Sequence, residues 1–179
     1  IWAALCDGTI DVIATDHAPH SIEEKTRQDI WTVDCGFPGV ETQMPLMLTA
    51  VAKGRGSICD YVRWSAANPA KIWGLYPRKG VLQPGADADI AVVDLNRRWT
   101  IVDTELHSTA KISPWNGWEV QGMPLHTIVR GRFVVKNRVL QSGTKGWGQS
   151  VHKIQNMPTP SPVNLDQTTA AILSSGARI

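Results

Sequence analysis

Asp16, His17 and His20 follow directly on a β-rich run, Ile10 to Thr15, and their types and spacing could do acid–base or metal chemistry. A carboxylate at the C-terminal end of a parallel strand lies where the sites of α/β barrel enzymes are built. Such a group can ligate a divalent metal and take a proton from an activated water. His20, one helical turn further on, can donate a hydrogen bond or carry positive charge toward an anionic substrate group. The same residue types also make an ordinary loop, with a helix-capping Asp and two surface histidines. His107, His126 and His152 are isolated and lack ligand spacing, so surface or structural roles are expected for them.

The elements that must position these residues follow a simple order. Residues 10–15 read as a strand and residues 16–20 as the loop at its C-terminal end. Pro19 keeps that loop from turning helical early. Residues 21–40 are polar, then rich in Gly and Pro, and read as a long loop of the functional kind. From Glu41 the apolar positions Met44, Leu46, Met47, Leu48, Ala50 and Val51 predict a helix that stops near Gly54. Glu41 reads as a carboxylate at that helix's N-terminus. A second helix is predicted over about 58–66, with Ile58, Tyr61, Val62 and Ser65 on one face. Asn68-Pro69 then reads as a fresh helix start, Asn68 as N-cap. The chain turns β-rich after Pro84-Gly85, with a strand over 89–95. Residues 127–140 read as one hairpin turning near 136–138, with Gly131 as a bulge or bend. Residues 156–164 read as an extended tail and 166–174 as a short helix. The first part suits the last β/α unit of a parallel α/β structure. The β unit is too small to close alone and needs further strands.

Bulk properties exclude several classes. Hydrophobic residues make up 42% and charged residues 19%, so a packed core is within reach and wholesale disorder is not expected. The net charge of +2, with scattered Lys and Arg, argues against a nucleic-acid partner. No apolar run is long enough to cross a bilayer, so no membrane partner is expected. Cys6, Cys35 and Cys59 lie far apart without a C-x-x-C pair, which fits a reducing cytoplasm better than a thiolate zinc site. The chain opens on Ile1 and runs at once into an apolar stretch, which reads as a break inside a larger protein.

Thr15-Asp16-His17-Ala18-Pro19-His20, followed by Glu23-Glu24-Lys25, resembles the strand-eight signature of dihydroorotases in the amidohydrolase superfamily. Gly36-Phe37-Pro38-Gly39-Val40-Glu41-Thr42 is similar to the second signature of that family. Asn68-Pro69-Ala70-Lys71, Gly74-Leu75 and Lys79-Gly80 resemble the helix that follows. Pro84-Gly85-Ala86-Asp87-Ala88-Asp89 resembles the return from barrel to β-sandwich found across the superfamily. Lys111 through Gly117-Trp118 to Gly122, and then Val129-Arg130-Gly131, fit as well. The resemblance implies an α/β fold: the end of a metal-dependent (β/α)8 barrel over 1–80, part of a small β-sandwich over 81–148, and a tail over 149–179. It implies that Asp16 is a metal ligand and the general base for the attacking water, then general acid to the leaving amide nitrogen. His20 matches the residue that binds the substrate carboxylate, and Pro38 and Gly39 match the loop whose backbone meets the ring. His17 reads as a support of the loop.

The implied reaction is the interconversion of dihydroorotate and N-carbamoyl-aspartate in pyrimidine biosynthesis, by a homo-oligomeric protein carrying one or two zinc ions. The family's His-x-His pair, carboxylated lysine and two further metal histidines precede strand eight and are not in this chain. The stretch alone is therefore expected neither to hold the metal centre nor to hydrolyse the ring. Two rival readings remain. An allantoinase or a hydantoinase/dihydropyrimidinase would use the same metal chemistry on a related ring. A non-catalytic homologue would serve as a scaffold.

Overall fold

The computed structural model describes residues 1–152; the tail expected over 156–164 and the helix expected over 166–174 lie outside the described residues. A helical half comes first. It contains α1 (Trp2–Cys6), α2 (Ile22–Lys25), a 3-10 turn at Ile30–Thr32, and α3 (Gln43–Ala52). Then α4 (Ile58–Val62) runs through a π turn (Arg63–Ala67) into α5 (Asn68–Ile72). The second half is a meander: β1 (Ile90–Thr100), β2 (Glu119–Val129), β3 (Arg132–Lys136) and β4 (Val139–Leu140), antiparallel in the order β1-β2-β3-β4.

The expected strand over 10–15 is corrected. That segment is irregular backbone, because a strand exists only when its amide groups pair with a neighbour, and no described residue supplies one. Its contacts run to the helices instead: Ile13 N donates to Trp64 O at 3.1 Å, and Asn68 Nδ2 donates to Asp11 O at 2.8 Å. The long loop is also less bare than expected, since α2 and the 3-10 turn lie within it.

Helix α3 begins and ends as its sequence predicts, with Gly54 just past the end at φ +78. The two helices expected after it are one. Ser57 opens α4 with a reciprocal capping box to Asp60, and the helix does not stop before Pro69. Asn68 is not an N-cap: it sits in helical backbone at φ −65, ψ −46. Proline removes one helical N–H and crowds the preceding turn. The chain accommodates it by widening into the π turn, with Trp64 buried there at 1% exposure.

The expected single hairpin is two. Arg130 and Gly131 form a two-residue turn with φ of 47 and 77, joining Val129 to its partner Arg132. Positive φ at both central positions is the mark of a type I′ two-residue hairpin turn, so Gly131 is a turn residue and not a bulge. The turn expected near 136–138 is present at Asn137-Arg138, with φ of 50 and 65.

The halves meet where α3 lies on β2. Thr49 Oγ1 accepts from Gln121 N at 2.8 Å, and a Cβ on Gly122 would come within 2.6 Å of Leu48 Cβ. Leu48, Val120 and Met123 are buried there. The Pro-Gly-Ala-Asp-Ala-Asp run works as a clasp between the halves. Asp87 pairs with Arg78 (3.0 Å) and Lys79 (2.8 Å), while Asp89 pairs with Lys79 and accepts from Arg130 N at 2.8 Å. Beside this clasp, an open apolar groove of about 580 Å³ runs between α4–α5 and β1, with Ile58, Tyr61, Val62 and Ser65 among its walls. The shared face read from their spacing is therefore real. No helix among the described residues is long and apolar enough to cross a membrane.

Candidate active site

Two segments far apart in sequence are fastened side by side: Thr15–Ala18, and the loop from Gly36 to Val40. Ala18 N donates to Phe37 O at 3.1 Å. Gly39 N and Val40 N both donate to His17 Nδ1, at 3.0 and 3.3 Å. The backbones lie so close that side chains are excluded between them. A Cβ on Gly36 would sit 2.5 Å from Ala18 Cβ, and one on Gly39 would sit 3.2 Å from Thr15 O.

The loop continues straight into α3. Gly39 O accepts from Thr42 N (3.2 Å), Thr42 Oγ1 (3.2 Å) and Gln43 N (3.0 Å), so a free helix end is satisfied by the loop itself. Thr42 is 1% exposed. Phe37 meets Trp115 edge-on at 5.1 Å between ring centroids, which ties the loop to the segment entering β2. Pro38 and Gly39 are both buried.

Asp16 stands at the turn between these supports, exposed and at φ +45. Few L-residues adopt that backbone, and Asp is among those that tolerate it best. Strained backbone of this kind gathers where a side chain must be aimed. His20 lies apart from the loop, half-buried, with Nδ1 3.7 Å from Glu24 Oε2. Its Nε2 has no partner among the described residues. Ser21 N donates to Glu24 at 2.6 Å, and this hydrogen bond, assisted by His20 and Arg27, holds the Glu24 carboxyl below its ordinary range. The structure thus brings Asp16, Pro38 and Gly39 onto one fastened pair of segments, and sets His20 at the start of α2.

The chemistry of the donor set tests the metal. Among the described residues, one group places three metal-capable atoms within 4.8 Å of one another: His20, Glu24 and Asp34. Asp16 is not in it. Glu24 is already engaged by Ser21, and Asp34 pairs with Arg27 at 3.1 Å. Among the described residues no such group forms around Asp16.

One pairing was not legible in the sequence. Glu41 is not spent on the terminus of α3. It accepts from His107 N at 2.8 Å and meets His107 Nδ1 at 2.8 Å, so His107 is not isolated as expected. These groups, with His17, Pro38 and Ser108, line a cavity of about 250 Å³. No local signal joins residues so distant; only the apolar spacing that brings α3 onto β2 hints at it.

Residues 1–134 match the model of the Amidohydrolase family. The chain is 40% identical over 155 residues to an L-hydantoinase of Paenarthrobacter aurescens, covering 84% of this chain and 33% of that protein. It is 43% identical over 134 residues to a dihydroorotase of Methanothermobacter thermautotrophicus, covering 75% and 31%. Among solved structures it resembles a D-hydantoinase (dihydropyrimidinase) from Thermus sp., with a TM-score of 0.79 and 35% identity, over 83% of this chain and 33% of that one. The chain spans about a third of the length of the curated relatives it matches.

Proposed function

The chain belongs to the amidohydrolase family, its described residues forming a partial α/β unit of that (β/α)8 fold with an antiparallel sheet, and from that premise we propose that the whole protein hydrolyses a cyclic amide ring, with dihydroorotate as substrate. The observation that carries this reading is the fastening of the Asp16 segment to the Pro38-Gly39 loop. It holds the Asp16 segment beside a buried stretch of backbone, which supports this reading.

In this reading Asp16 takes a proton from the attacking water, whose oxygen bonds to the ring carbonyl carbon. The carbon–nitrogen bond then breaks, and Asp16 returns the proton to the leaving amide nitrogen. A carboxylate and an amide N–H result, and the second water proton goes to solvent. Pro38 and Gly39 present backbone to the ring. His20, with its free Nε2, meets the carboxylate that dihydroorotate carries. A divalent metal, zinc by family expectation, would be held at Asp16 and would supply Lewis-acid activation when bound. We keep the division into a barrel end over 1–80, a β unit over 81–148 and a tail over 149–179 as part of the same proposal.

A hydantoin is the second reading. It is favoured by the longer match to the L-hydantoinase and by the likeness to the D-hydantoinase structure. The experiment compares the whole protein and its His20→Ala variant on dihydroorotate and on dihydrouracil, a ring without the carboxylate. A charge-assisted hydrogen bond contributes about 1.5–3 kcal/mol, so kcat/KM for dihydroorotate should fall roughly 10- to 100-fold while that for dihydrouracil holds. Equal losses on both rings would favour the hydantoin reading. No turnover of any cyclic amide would reject both.

A further inference from the structure

We infer that His17 is the positioning residue of the ring-binding loop, acting through an unprotonated Nδ1 that grips the Gly39 and Val40 amides; the inference rests on the reading of that loop given above. A neutral imidazole carries one proton, and the nitrogen without it is an acceptor. Two backbone donors converge on Nδ1, at 3.0 and 3.3 Å, so the proton belongs on Nε2. The neighbouring residue in the chain is Asp16. One dipeptide therefore carries both the proton-transferring side chain and the side chain that holds the opposite loop in register with it.

The rest of the loop's fastening cannot replace this grip. Ala18 N holds Phe37 O before Pro38, and Thr42 and Gln43 hold Gly39 O after it. Pro38 has no N–H to offer. The Gly39 amide is thus the donor that fixes the plane of the Pro38–Gly39 peptide, the Val40 amide adds to the hold on the peptide that follows, and His17 is the acceptor of both. Removing it leaves the loop anchored at both ends but free to tilt in the middle. Such a loss weakens ground-state and transition-state contacts to the ring alike, which raises KM with little change in kcat.

The test uses the whole, metal-loaded protein with His17→Ala and His17→Asn. The Asn Oδ1 is an acceptor at the same distance from the backbone as the imidazole Nδ1, so Asn should restore what Ala removes. One hydrogen bond of ordinary strength corresponds to about a three- to tenfold effect. Amide hydrogen exchange at residues 39 and 40 should speed up by about that factor in His17→Ala and return toward the parent rate in His17→Asn. KM for the ring should move in parallel, with kcat and metal content near those of the parent. Unchanged exchange in His17→Ala, failure of Asn to restore it, or loss of metal from both variants would overturn the assignment. Should the parent hydrolyse no ring, the functional reading fails, while the exchange comparison still decides whether His17 holds the loop.

Discussion

Replacing Gly36 by alanine drives a wedge between the two fastened segments, and its cost follows from the geometry. The new Cβ would lie 2.5 Å from Ala18 Cβ and 3.9 Å from Ala18 Cα. Nonbonded carbons settle at about 3.5–4.0 Å, so the segments must part by about 1 Å. Overfilling a tight contact costs about 1–3 kcal/mol. An L-residue at φ +98 adds about 1–2 kcal/mol. The bond from Ala18 N to Phe37 O, 3.1 Å long, is the first to stretch. Part of the cost will appear as lost stability, and part as displacement of Pro38 and Gly39 from Asp16, where a shift of about 1 Å can lower kcat/KM about 10²-fold. Gly131→Ala is the control: its φ is +77, but nothing lies within 4 Å of the added Cβ, so it carries the backbone cost alone. Denaturant midpoints and kcat/KM should be measured for both variants in the whole protein. If Gly36→Ala is no worse than Gly131→Ala in either measurement, the segments are not fastened as described.

Asp16→Asn keeps the shape and the tolerance for positive φ but removes the proton carrier; ring hydrolysis should fall by about 10²–10⁴ while circular dichroism and thermal midpoint stay near those of the parent, and near-normal turnover would remove Asp16 from the mechanism. Gly122→Ala should destabilise the packing of α3 on β2 by about 1–3 kcal/mol, read as a lower denaturant midpoint, because its Cβ would meet Leu48 at 2.6 Å. Ser57→Ala removes the cap of α4 and should cost about 1 kcal/mol. Asp60, the reciprocal partner, is held below its ordinary 3.8 by the hydrogen bond from Ser57 N, with help from Ser57 Oγ and Arg63. A carboxyl depressed in the folded state stabilises the fold above its unfolded pKa and loses that contribution as pH falls through the folded value. Ser57→Ala keeps the backbone bond to Asp60 and loses only the 2.8 Å bond from Ser57 Oγ, so the stability difference should be full at pH 6 and shrink in part below about pH 4; a difference independent of pH would show that the bond from Ser57 Oγ to the carboxylate adds nothing to the cap.

Local signals carried most of the helices and turns into view. The stop at Gly54, the shared face of Ile58, Tyr61, Val62 and Ser65, and the turn near residue 137 are each set within a few residues. What failed depended on partners. Residues 10–15 have the composition of a strand, but strand geometry comes from a ladder, and the described residues offer none. Asn68-Pro69 has the form of a helix start, but the helix runs on through it by way of a π turn in which Trp64 is buried. Arg130-Gly131 could be a bulge or a turn from its residues alone; the pairing of Val129 with Arg132 decides for the turn. The Glu41–His107 pair joins residues with no shared local pattern.

The loop's own hydrogen bonds also limit how it can meet a ring. Gly39 spends its N–H on His17 and its carbonyl on the start of α3. Pro38 brings no N–H, but its carbonyl has no partner among the described residues. Under the proposed function, a ring docked on this loop would find a backbone acceptor at Pro38, beside a glycine whose missing side chain lets that backbone lie against Thr15. A cyclic amide or ureide suits such a surface, because its ring N–H needs an acceptor and its flat faces need close approach. Under the proposed function Pro38 would supply the polar contact, the space beside Gly39 being taken by Thr15, and discrimination among rings would fall to groups such as His20 that stand away from the loop.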